Sequence, residues 1–191
     1  DGRPVREYSL PALFRFPKGS DARGRGPRNN AVFEGLSFTP DGGMLAVIME
    51  APLLQDGAAP TPEQGALSRL TLFDRLEGRA VRQVAYPIEK VQVPPMPADA
   101  FRVNGPSEIL ALSRTRFLVL ERSFSVGVTG NQVRLHEIDI TGAEDVLARD
   151  SLAEGPPVVP VKKRLVLDFE SLRQALGGIA NLEGMTFGPR L

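Results

Sequence analysis

The sequence holds no cysteine, no tryptophan and a single histidine, His136. Without thiols there can be no disulfide and no thiolate metal site, and one imidazole cannot build a multi-histidine zinc centre. There is no Gly-x-Ser-x-Gly elbow, so a serine or cysteine triad has no support, and the lone histidine is expected to be a half-exposed strand residue rather than a proton shuttle. Nucleotide-binding loops of the Gly-x-x-x-x-Gly-Lys and dinucleotide types are also missing.

Net charge is missing as well. The 23 basic and 23 acidic side chains cancel, and no long basic block occurs, so no field is available to attract nucleic acid. The longest apolar runs, Met44 to Met49 and Phe117 to Leu120, fall far short of the roughly 20 residues that a bilayer-spanning helix needs, so no membrane partner is expected. Long amphipathic helices are lacking too; the one fair helical segment is Phe169 to Leu176, which Gly177-Gly178 would end.

What the chain does have is strand and turn chemistry. Short runs such as Met44 to Met49, Arg116 to Leu120 and Lys163 to Leu167 are bounded by turn formers, and the 19 glycines and 17 prolines fall mainly between them. Thr39-Pro40-Asp41-Gly42-Gly43 reads as a hairpin turn, because proline presets one dihedral and glycine accepts positive φ. Asp74 and Asp139 close matching strands, where aspartate accepts turn amide hydrogens. Lys162 and Lys163 read as solvated strand-entry residues, and Arg23, Arg25 and Arg28, set among glycines, as a loop.

Four segments recur in one order. Val5 to Pro11 returns as Val81 to Pro87. Phe33-Glu34-Gly35-Leu36-Ser37-Phe38 returns as Ser107 to Leu112 and as Leu182 to Phe187, at glutamate offsets of 74 and 75. Ile48-Met49-Glu50 recurs as Val119-Leu120-Glu121 after 71 positions, and Arg69 to Asp74 recurs as Arg134 to Asp139 after 65.

Each period supplies four strands, so the expected fold is all-β: a partial β-propeller of four-stranded antiparallel blades with long inter-strand loops. The expected organisation is one domain over residues 1–191, with an outer strand at 4–11, blades at 30–88 and 104–170, and the start of a third blade at 181–191. Two blades are too few to close a ring, so the chain reads as a piece of a longer protein. The excess length lies in Pro52 to Gly65, Glu89 to Asn104 and Ala153 to Val161.

The recurring glutamates are the candidate functional groups. Alternation places Glu34 with Leu36 and Phe38, Glu108 with Leu110 and Leu112, and Glu183 with Met185 and Phe187, which are apolar faces. Symmetry about the turns sets Glu34 opposite Glu50 and Glu108 opposite Glu121, provided that no bulge intervenes. A carboxylate on an apolar face needs compensation. One solution is calcium, a hard cation fed by oxygens of Glu34, Glu50, Glu108, Glu121 and Glu183; another is pairing with arginine, Arg122 above all, or with backbone amides.

Asn30 to Gly42, Ser107 to Leu112 and Asn181 to Pro189, together with Leu118-Val119-Leu120-Glu121-Arg122 and Leu165 to Asp168, resemble the signature of the phytase-like family, the "esterase-like activity of phytase" domain. The resemblance implies a β-propeller, a bacterial periplasmic or secreted setting, and a phosphoester or ester hydrolase acting on a small substrate. Under that reading calcium would assist the reaction and Arg122 would hold a phosphate oxygen, with no residue assigned a catalytic role. The reading from another class is a non-catalytic binding scaffold in which the glutamates are structural.

Overall fold

The computed structural model describes residues 2–16 and 24–189. Eight strands form two antiparallel sheets, each in up-and-down order. The first holds β1 (Phe33–Phe38), β2 (Met44–Met49), β3 (Ala66–Asp74) and β4 (Arg79–Ile88); the second holds β5 (Arg102–Ala111), β6 (Arg116–Ser125), β7 (Gln132–Asp139) and β8 (Lys162–Asp168). These are the four strands per period that the repeats require, joined by the long loops expected of them.

The turns follow from their residues. Gly42 adopts φ 67° between β1 and β2, a conformation in which a Cβ would be strained, and the Asp41 carboxylate accepts from Thr39 Oγ1 at 2.6 Å and from Gly43 N at 3.1 Å. Asp74 accepts from the amides of Leu76 and Glu77, both at 2.8 Å, and Asp139 from that of Thr141 at 2.8 Å. Phe169–Leu172 forms a 3-10 turn that runs into the one-turn helix Arg173–Leu176, ended by Gly177 at φ 71°.

Strand alternation sends Ala46, Ile48, Leu70, Leu72, Val84 and Tyr86 to one face of the first sheet. Ile109, Phe117, Val119 and Ile138 of the second sheet meet them there in one core cluster. Burying each large side chain contributes roughly 1.5–3 kcal/mol, so this seam is the main stabilising contact between the sheets. Small residues let the backbones approach: a Cβ on Gly35 would lie 2.6 Å from Ile109 N, and Ala111 N donates to Ser37 Oγ at 3.0 Å.

The β-propeller implied by the resemblance needs correction. The chain forms two open four-stranded sheets, not a closed ring. Closure requires every sheet to have a neighbour on both faces, and two sheets share only one seam. The far face of the first sheet accordingly leaves Leu36 58% and Phe38 50% exposed. The segment expected as an outer strand, 4–11, makes one parallel bridge, Ser9 with Arg79, and 181–189 carries no strand; residues 190 and 191 lie outside the described residues.

The loops are anchored by buried polar contacts. Arg69 and Asp56, both with fully buried side chains, form a two-pronged ion pair at 2.7 Å, to which Gln83 Oε1, Arg149 O and the amide of Leu152 add hydrogen bonds. Of the three arginines read as loop residues, Arg23 lies outside the described residues. Arg25 pairs with Asp150, and Arg28 donates to Pro52 O at 3.1 Å and Gly57 O at 2.6 Å.

Candidate functional site

Pairing shows which repeat positions coincide in space. Met44 faces Asp74 and Arg116 faces Asp139, so the β2 and β6 hairpin arms superpose at an offset of 72 residues, one more than the sequence match of Glu50 with Glu121. Glu50 is therefore equivalent to Arg122, and Met49 to Glu121. A bulge falls at Glu34 in β1 and at Ser107 in β5, so these two are counterparts; with Leu36 facing Val47 and Glu108 facing Leu120 the register is already one residue off the turn symmetry, and neither Glu34 and Glu50 nor Glu108 and Glu121 stand directly opposite each other.

The five glutamates consequently divide. Glu121, 2% exposed, lies in the seam. Its carboxylate accepts from Tyr86 OH at 2.7 Å, Glu89 N at 3.2 Å and Asn104 Nδ2 at 3.2 Å, and it pairs with Lys163, whose ammonium also sits 4.8 Å from the Tyr86 ring centre. Burial and the Glu121 charge hold the Tyr86 phenol well above its ordinary pKa. Lys163 is thus a half-buried ion-pair partner rather than a solvated strand-entry lysine. Glu108 is half-buried and accepts from the amide of Ile109 at 2.8 Å.

Glu50, Glu183 and Arg122 come together elsewhere. Arg122 bridges Glu50 at 3.7 Å and Glu183 at 2.6 Å, with Glu50 only 8% exposed. Gly105 faces Arg122 in the β5–β6 register, and a Cβ there would lie 2.3 Å from Glu50 O and 2.9 Å from its Cγ; the absent side chain is what lets Glu50 reach Arg122. Burial, followed by the charge of Glu34, raises the Glu50 pKa to about 7; Arg122 opposes this, and Glu183 adds to it. Glu50 and Arg122 open on a cleft of about 480 Å³, whose walls include Asn29, Asn30, Phe101, Phe124 and Asn131.

A second polar cluster was not legible as a site. His136 is 1% exposed, not half-exposed: it faces the seam, with Nε2 3.1 Å from Glu89 Oε1 and Nδ1 without a hydrogen-bond partner among the described residues. Glu89 also accepts from Arg134 at 2.7 Å, and Arg134 pairs with Asp168 at 2.9 Å. The His136 contact, with Arg134 behind it, lowers the Glu89 pKa to about 2. Arg134 is the repeat counterpart of Arg69, and an arginine recurring opposite an acidic loop residue was the available signal.

Among the described residues no group of three or more His, Asp or Glu side chains is arranged to hold a metal ion, and no helix is long and apolar enough to cross a membrane. The oxygen-only donors Glu50 and Glu183, with Glu34 adding charge, are of the chemical type that calcium takes, whereas Glu121 and Glu108 are engaged by protein partners. A family model described as "Phytase-like: Esterase-like activity of phytase" matches residues 1–191. No curated protein and no solved structure gave a match.

Proposed function

The chain belongs to the phytase-like family, and from that premise we propose that it hydrolyses a phosphoric or carboxylic ester in the cleft shared by Glu50 and Arg122. The observation that carries the reading is Glu50: a buried carboxyl with a pKa near 7, opening on a cleft, has the proton affinity of a general base at neutral pH. In its ionised form Glu50 takes a proton from water as that water attacks the phosphorus or carbonyl carbon, and returns it to the departing alcohol oxygen. Arg122, adjacent, donates hydrogen bonds to the oxygen on which negative charge builds.

Calcium belongs to this proposal. Glu34 and Glu183 would hold it, leaving Glu50 as the base, and when bound it would neutralise charge on a phosphate.

Assays with p-nitrophenyl phosphate and p-nitrophenyl acetate, in calcium and in EGTA, test the reading. Hydrolysis by the wild type that falls at least about 100-fold in Glu50→Gln supports it; equal rates in both proteins overturn it. The scaffold reading is favoured by Glu121 and Glu108, which are spent on Lys163, Tyr86 and backbone amides, and it predicts no hydrolysis in either condition.

A further inference from the structure

Three features of the cleft bear on what it accepts. Phe101, just before β5, is 65% exposed and lines the cleft with Val103, and its ring lies 6.2 Å from that of Phe124 at a tilt of 41°. A large aromatic side chain left this open at the wall of a cleft offers a flat apolar surface to a ring.

Asn29 and Asn30, which line the same cleft, lie on a turn that is fixed on several sides. Arg28 bridges Ala31 and donates to Pro52 O and Gly57 O, while Leu54 N donates to Gly26 O at 2.9 Å. Asn30 itself has φ 54°, the one non-glycine positive φ among the described residues, and asparagine tolerates that conformation better than most side chains. Both amides are exposed, and a further amide pair, Asn131 with Asn181 at 2.8 Å, completes the polar wall. Amides both donate and accept, which suits hydroxyl groups.

The third feature is charge. Glu50 and Glu183 both pair with the one guanidinium of Arg122, and the charge of Glu34 also reaches Glu50, so the carboxylates outnumber the cation and a multiply charged anion meets repulsion here.

We propose that the cleft seats an uncharged hydroxylated ring, of the kind a sugar presents, with the ring on Phe101 and its hydroxyls on the Asn29, Asn30 and Asn131–Asn181 amides. Resting on the hydrolase reading, this makes the substrate an ester of a neutral sugar rather than a polyphosphate.

Calorimetric titration of the full chain in EGTA with cellobiose, maltose and phytate tests the inference. The expected result is saccharide binding in the millimolar range or tighter, weakened at least about tenfold in Phe101→Leu, with no phytate binding. The exposed Phe101 makes Phe101→Leu a variant that keeps its fold, checked by an unchanged melting temperature. No saccharide binding up to about 50 mM, tighter binding of phytate than of saccharide, or binding indifferent to Phe101→Leu would overturn it. Wild-type esterase activity separates the two claims: saccharide binding by a wild type that hydrolyses neither ester sinks the hydrolase reading and leaves the sugar site standing, whereas hydrolysis without saccharide binding sinks the sugar site alone.

Discussion

Glu50 and Arg122 occupy equivalent positions in the two sheets and meet across the bare backbone of Gly105 at 3.7 Å. A repeat that placed like beside like would set two carboxylates together. A one-residue difference in register sets a carboxylate against a guanidinium instead, at the mouth of a cleft.

The contact depends on Gly105. Gly105→Ala puts a methyl within 2.3 Å of Glu50 O, so the strand or Glu50 must shift. The expected cost is about 1–3 kcal/mol, read from denaturant unfolding, together with loss of the near-neutral Glu50 titration in NMR.

Glu50 makes stability pH-dependent. Its folded pKa of about 7 lies above the ordinary 4.5, so the folded state holds the proton more tightly. Stability is then full below pH 4.5, declines as pH rises from there to about 7, and is level above. The shift corresponds to roughly 3 kcal/mol. Glu50→Gln should remove this decline and melt above the wild type at pH 8, a comparison for thermal unfolding at pH 5 and pH 8.

Glu121 is structural on this account. Glu121→Ala strands the Lys163 ammonium and the Tyr86 hydroxyl in the seam, with an expected loss of about 3–5 kcal/mol in denaturant unfolding. Glu121→Gln keeps two of the hydrogen bonds and should cost less.

Arg69→Lys tests the loop anchor. Lysine keeps the charge opposite Asp56 but cannot make the two-pronged contact or reach Gln83 and Arg149 O together. A loss of about 2–4 kcal/mol is expected, with earlier proteolysis in the 54–65 and 146–153 loops.

The fold was legible because its signals are local. Asp41 and Gly42, Asp74, and Gly177 mark turns through their own conformational chemistry, and Ile48 or Val119 marks a strand wherever it packs. The sites were legible only in part, because side-chain direction in a strand reverses with a single-residue slip. The hairpin turns already set that slip, with Phe38 facing Leu45 and Ala111 facing Phe117, and the bulges at Glu34 and Ser107 add a further step that neither residue announces. The burial of His136 and the ion pairing of Lys163 depend on the second sheet lying against β4, a contact between residues far apart in the chain, and no local pattern encodes it.

The role of Glu50 as the base is tested by the pH dependence of kcat/KM for p-nitrophenyl ester hydrolysis by the wild type and by Glu50→Gln. The account predicts a wild-type rate that rises tenfold per pH unit up to about pH 7 and is level above, because the ionised carboxylate is the base; in the variant that limb is gone and the rate is low throughout. The same rising limb in both proteins would contradict it and remove Glu50 from the reaction.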